Sequence, residues 1–92
     1  MFTTIDIGTM IVKTPETCGG RPRINGTRVS VQRIIGWYKM GFNAEEIASR
    51  IGHLDLGQIY AALAYYHVNK EEIETYLNQE KEEYERLSNE YN

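Results

Sequence analysis

Residues that could perform catalysis are sparse and scattered along this chain of 92 residues. His53 and His67 lie far apart without a metal-binding spacing, and Cys18, the only cysteine, has no neighbouring cysteine or histidine. The acidic group at positions 71–74 lies where a helix is expected to begin, and the helix dipole already favours negative charge there. The sequence also contains no P-loop, dinucleotide-binding fingerprint or Gly-x-Ser-x-Gly motif. We therefore expect a protein that is not an enzyme and that requires no metal or other cofactor.

The composition indicates one small folded domain. Hydrophobic residues make up 41% of the chain and charged residues 25%, as in ordinary globular proteins. A domain of this size buries only about 60–65% of its unfolded surface, so a homodimer is expected to add stability. A single cysteine excludes an intrachain disulfide, and no segment has the composition of a membrane span or signal peptide. The expected location is the cytoplasm, without membrane contact.

Charge is distributed unevenly, although the net charge is only −3. Residues 1–50 contain seven basic and four acidic side chains, whereas residues 51–92 contain three and nine. The first half is therefore able to meet the phosphates of double-stranded DNA, and the second half repels them. The alternative is a mixed domain followed by a solvated acidic helix that has no partner.

The N-terminal third has the pattern of β-structure. Apolar residues alternate with threonines from Ile5 to Val12, which predicts a strand within residues 1–14 that ends before Pro15. Asn25 and Gly26 are the preferred pair for a type I′ turn, so a short hairpin carrying three arginines is expected over residues 21–31.

Helix signals divide the remaining sequence into four segments, over about 31–40, 44–51, 56–67 and 70–87. Each segment follows a residue of the type that caps helices: Ser30, Asn43, Asp55 and Asn69. Glu46 and Glu72 lie three positions after their caps and predict two capping boxes. The predicted fold class is mostly α, a helix-turn-helix-like three-helix bundle with an N-terminal strand and β-hairpin and a long C-terminal helix. Its parts are the strand (1–14), the hairpin with the helical core (15–68) and the acidic helix (69–92).

The third helix is the candidate recognition helix of the helix-turn-helix unit. Its expected core face consists of Leu56, Ile59, Ala62, Leu63 and Tyr66. Its expected outer face consists of Gly57, Gln58, Tyr60, Ala61, Ala64 and Tyr65. Only Gln58 in that face has the amide that reads adenine, and no arginine is present to read guanine. A helical bundle without a DNA function has the same capping and periodicity, so the alternative stays open.

A more specific motif lies between Cys18 and Val31. Its positions are Gly19, Gly20, Pro22, Ile24, Gly26, Thr27, Arg28 and Val31. With the segments 41–47 and 56–65, the motif closely resembles the family called domain of unknown function 433, over about residues 15–67. The resemblance implies a helix-turn-helix-like fold. Because many members look like antitoxins encoded beside a PIN-like toxin nuclease, it also implies an antitoxin that neutralises such a toxin and binds its own promoter.

Two groups of binding residues are predicted. The DNA-binding group consists of Arg21, Arg23, Arg28, Gln58 and Tyr60. Strand alternation places Arg21 and Arg23 on one face of the hairpin, where they are able to grip phosphates; a structural role is the alternative, above all for Arg28.

The partner-binding group follows a heptad-spaced seam of the last helix: Leu77, Tyr84, Leu87 and Tyr91. The first half of this helix is expected to pack on the core, and the remainder suits a second copy or a toxin. The alternative function is a dimeric DNA-binding or protein-interaction regulator without a toxin partner.

Overall fold

Capping side chains begin the first three helices at the predicted positions in the computed structural model, which describes residues 2–90. The helices are α1 (Val31–Lys39), α2 (Ala44–Ile51), α3 (Leu56–Val68) and α4 (Lys70–Glu90). Ser30 accepts a hydrogen bond from the Arg33 N–H, and Asn43 forms the predicted capping box with Glu46. Asp55 forms a second box with Gln58, which was not predicted. These local hydrogen bonds satisfy N–H groups that lack a partner in the first turn.

The predicted capping box at the start of α4 does not form. The Asn69 side chain instead donates to the carbonyl oxygen of Tyr65 at 3.2 Å. The carboxylate of Glu72 accepts hydrogen bonds from three side chains outside the first turn of the helix. Tertiary contacts therefore replace the local cap, and Asn69 alone separates α3 from α4.

The predicted N-terminal strand is much shorter than expected. The Asp6 carboxylate accepts a hydrogen bond from the Gly8 N–H at 2.9 Å and caps a 3-10 helix over Ile7–Thr9. Only β1 (Ile11–Val12) forms a paired strand, and it pairs antiparallel with β2 (Arg23–Ile24). The prediction of a strand from Ile5 was wrong because the local bonds of Asp6 outweigh the alternation of apolar residues.

The turn after β2 occurs at the predicted residues with a different geometry. Gly26 has a φ of 83°. Asn25 does not have a positive φ, because Cys18 is the one non-glycine residue of 2–90 that does. The Thr27 N–H donates to the Ile24 carbonyl oxygen at 3.0 Å. A positive φ at Gly26 alone defines a type II turn rather than the predicted type I′ turn.

The core lies between α3 and the elements that surround it. α3 packs against α1, α2, α4 and both strands. Ile59, Ala62 and Tyr66 are buried as predicted, but Leu56 is 41% exposed and Ala61 is buried. Ala61 is buried because β1 packs on the side of α3 that was expected to face solvent. Leu56 is exposed because it is the first residue of the helix.

α4 consists of a packed half and a free half. Ile73 is completely buried, and Tyr76 and Leu77 pack partly buried against the core. Every side chain from position 78 to 89 is exposed. A helix of 21 residues is about 31 Å long, so its second half extends well beyond the core. None of the helices within residues 2–90 combines the length and the apolar composition needed to cross a membrane.

The division of α4 predicts different costs for two truncations. Ile73→Ala should lower the free energy of unfolding by about 2–5 kcal/mol, because it opens a cavity in the core. Leu87→Ala should change it by less than about 0.5 kcal/mol, because this side chain lies outside the core. Urea unfolding followed by circular dichroism measures both values, and equal losses would contradict the division.

Candidate partner and nucleic-acid interfaces

Glu72 joins the first half of α4 to the N-terminal segment and to α3. Its carboxylate accepts hydrogen bonds from the Lys13 ammonium and from the hydroxyls of Tyr65 and Tyr76. Burial of the carboxylate opposes its ionisation, but the three hydrogen bonds prevail and lower the pKa of Glu72. The ionised side chain therefore holds three elements together.

Glu74 makes a second attachment two positions further along α4. It pairs with the ammonium of Lys39 in α1 and accepts a hydrogen bond from the hydroxyl of Tyr66 in α3. The Lys39 and Tyr66 bonds lower the pKa of the Glu74 carboxyl. The bond to Glu74, with burial, raises the pKa of Tyr66 to about 12, so this hydroxyl stays a donor at neutral pH.

Glu80 makes the last attachment before α4 leaves the core. It pairs with the guanidinium of Arg21 at 3.2 Å and accepts a hydrogen bond from the buried Gln32 side chain at 3.3 Å. The Arg21 guanidinium also donates a hydrogen bond to the side-chain oxygen of Gln79 at 3.1 Å and stacks over the ring of Tyr76, 4.7 Å from its centroid. Glu80 thus anchors the helix.

The predicted partner-binding residues divide at this anchor. Leu77 packs against the core, whereas Tyr84 is 74% exposed and Leu87 is 42% exposed. Tyr91 lies outside the described residues. Acidic side chains surround the exposed pair on the free half of α4: Glu82, Glu83 and Glu85. We call the surface formed by Tyr84, Leu87 and these three carboxylates the distal seam.

The two arginines predicted to share a DNA-facing surface have different intramolecular partners. Arg21 is held by Glu80, Gln79 and Tyr76, as described above. Arg23 is half-buried and donates to the Thr27 carbonyl oxygen at 2.9 Å and to the Thr14 hydroxyl at 2.8 Å. Both guanidinium groups hold the hairpin in place, so contact with phosphates would compete with existing bonds.

The other predicted DNA contacts differ in their exposure and in their hydrogen bonds within the chain. The Gln58 side chain is half-buried and accepts a hydrogen bond from the Asp55 N–H at 2.8 Å, within the capping box. Arg28 and Tyr60 are exposed. Arg33, which is not among the predicted DNA contacts, is exposed in the first turn of α1. Within residues 2–90, the side chains of Arg28 and Arg33 enter no ion pair.

The remaining reactive side chains lie apart from one another. The His53 ring contacts the Ile51 carbonyl oxygen at 3.2 Å, and His67 packs beside the rings of Tyr38 and Tyr66. The Cys18 thiol donates to the Arg28 carbonyl oxygen at 3.2 Å. In the part of the chain that the structure describes, no three metal-ligating side chains come together.

The fold therefore defines a helix-turn-helix-like helical protein with a small antiparallel sheet and a projecting acidic helix. The chain belongs to the DUF433 family, because the family model described as "Protein of unknown function (DUF433)" matches residues 11–66. The match runs from β1 to α3 and leaves α4 outside. This confirms the resemblance stated from the sequence.

A solved structure supports the same assignment. The chain is similar to a DUF433 member protein from Anabaena variabilis ATCC 29413, with 30% sequence identity and a TM-score of 0.71. The similarity covers 76% of this chain and 69% of that one. No curated protein matches the chain.

The attachment of α4 predicts a stability that falls in acid. The pKa values of Glu72 and Glu74 are lowered in the folded state from 4.5, so their stabilisation is complete above that pH and is lost as the pH falls through the folded values. Glu72→Gln with Glu74→Gln should lower the urea midpoint at neutral pH and weaken its dependence on acid. The control, Glu83→Gln with Glu85→Gln, changes the same charge on the free half and should behave as wild type. An unchanged acid dependence in the first variant would contradict the assignment.

Proposed function

We propose that this chain is an antitoxin-type DNA-binding protein that neutralises a PIN-like toxin nuclease and binds its own promoter. It acts in the cytoplasm and by binding, not by catalysis. The observation that carries the proposal is the distal seam, in which two large apolar side chains lie exposed on a helix that has left the core.

The free half of α4 has little to stabilise it in the isolated chain. About ten residues of helix are marginal in water without tertiary packing. Pairs such as Glu82 with Arg86 add only about 0.2–0.5 kcal/mol each. An amphipathic helix that lays an apolar strip into a groove of another protein gains the missing packing. Tyr84 and Leu87, one turn apart, form such a strip.

The charge of α4 indicates the kind of partner. Lys70–Glu90 contains eight acidic and three basic side chains, and the carboxylates of Glu82, Glu83 and Glu85 are exposed. A nuclease must hold a phosphate backbone and therefore presents basic surface, which attracts an acidic helix. Members of the family that look like antitoxins accompany PIN-like nucleases, and this resemblance selects the toxin class.

Support for promoter binding comes from the core. α2 and α3 follow each other as in a helix-turn-helix unit, and Arg28, Arg33 and Tyr60 are exposed. The two arginines are suited to phosphate contacts, which give affinity without sequence information. Base reading falls to Tyr60 and to Gln58, whose amide would have to leave its capping box.

The toxin-binding half is tested by Tyr84→Glu with Leu87→Glu. The double variant should lose capture of the PIN-like protein encoded beside this gene while keeping its melting temperature, because two charges enter an apolar contact but not the core. Co-expression followed by size-exclusion chromatography measures capture. The control is Asn78→Glu with Asn89→Glu, which adds the same charge to the opposite side of α4 and should still capture the toxin.

Three results would contradict this half of the proposal. The first is full capture by the Tyr84 and Leu87 variant, and the second is its unfolding, since the seam would then be core. The third is the absence of a PIN-like reading frame beside the gene, which would favour a regulator without a toxin.

The DNA-binding half is tested by Arg28→Ala with Arg33→Ala. If both residues contact phosphates, binding to the promoter and to unrelated duplexes should weaken alike, and the slope of log K against log salt should flatten by about 1.8, at about 0.9 per contact. Fluorescence anisotropy over a salt series measures the slope. Lys81→Ala with Arg86→Ala removes the same charge from α4 as a control, and an equal effect of the two variants would contradict the assignment.

A further inference from the structure

An apolar groove lies between the N-terminal segment and the exposed side of α3. Ile7 and Ile11 form one wall, and Ala61, Ala64 and Val68 form the other. The groove has a volume of about 280 Å³, and none of the residues that line it is charged. Val68 is 81% exposed at its end. An uncharged, mostly apolar groove of this kind favours an apolar occupant.

The start of the chain carries apolar side chains that find no place in its own core. Phe2 is 99% exposed, Ile5 is 73% exposed, and both precede the 3-10 helix that Asp6 caps. Residues 2–5 contain no charged side chain. They are close in sequence to a residue that lines the groove, because Ile7 follows Ile5 by two positions.

The edge of the sheet gives a second reason for an extended occupant. The sheet has two strands, so β1 pairs with β2 on one side only. An unpaired edge offers backbone donors and acceptors to an added strand. The distal seam is a poor occupant here because its carboxylates would meet no cation in the groove.

We propose that residues 2–5 of a second copy of this chain fill the groove, and that the exchange is reciprocal. Ile5 of one protomer then packs against Ala64 and Val68 of its partner, beside the edge of β1. The groove and the segment belong to the same chain, and both are uncharged. A two-fold axis therefore relates two identical contacts, in each of which the segment of one protomer fills the groove of the other. This interface is separate from the distal seam and does not rest on the proposed function.

The test measures the mass of the protein in solution by light scattering at micromolar concentration. Wild type should have twice the monomer mass of 10.6 kDa. Ile5→Asp on the segment and Ala64→Arg in the groove should each yield monomers, because a charge enters an apolar contact. Circular dichroism should show unchanged helix content, since both positions are exposed.

The matched control is Met40→Asp, which adds the same charge at a side chain 70% exposed at the end of α1, and it should remain a dimer. Tyr84→Glu with Leu87→Glu should also remain a dimer. Mixing Ile5→Asp with Ala64→Arg should restore dimers, because the mixed pair has one native contact and one in which aspartate meets arginine. A monomeric wild type, a dimer that survives both interface variants, a monomeric Met40→Asp, or a mixture that stays monomeric would overturn the proposal.

Discussion

The attachment of the first half of α4 to the core determines how the rest of this protein is arranged. Ile73 supplies the apolar contact, and the carboxylates of Glu72, Glu74 and Glu80 supply hydrogen bonds and ion pairs to the N-terminal segment, α1, α3 and the hairpin. Because the last of these anchors is Glu80, the helix leaves the core at that point. The side chains of the distal seam are exposed because they lie beyond this last anchor.

The same attachment separates the charges of the molecule into bound and free groups. Arg21, Lys13 and Lys39 neutralise carboxylates of α4, which leaves Arg28, Arg33 and Arg50 as exposed cations of the first half. The carboxylates of Glu82, Glu83 and Glu85 stay exposed on the free half. The uneven charge seen in the sequence therefore becomes two distinct surfaces, one suited to a basic protein and one to phosphates.

The capping residues at the starts of the first three helices could be predicted from the sequence, whereas the local cap of Asp6 and the contacts between distant residues were missed. The caps of α1, α2 and α3 each involve side chains within three residues of the backbone that they satisfy. The roles of Arg21 and Lys13 depend on partners 59 positions away, which no periodicity reveals. The spacing of Glu72 likewise predicts a capping role, whereas in the fold its carboxylate bonds to side chains outside the first turn of α4. The exposed distal seam was predictable because a small domain has no core left to cover it.

Hydrogen exchange along α4 tests most directly the claim that its second half is a binding element and not part of the folded core. Exchange at single residues of the free protein should show strong protection around Ile73, which is completely buried, and weak protection from about position 82 onward. On addition of the PIN-like protein, protection should appear in the second half and leave the first half unchanged. Uniform protection of α4 in the free protein, or no gain in its second half on binding, would contradict the account.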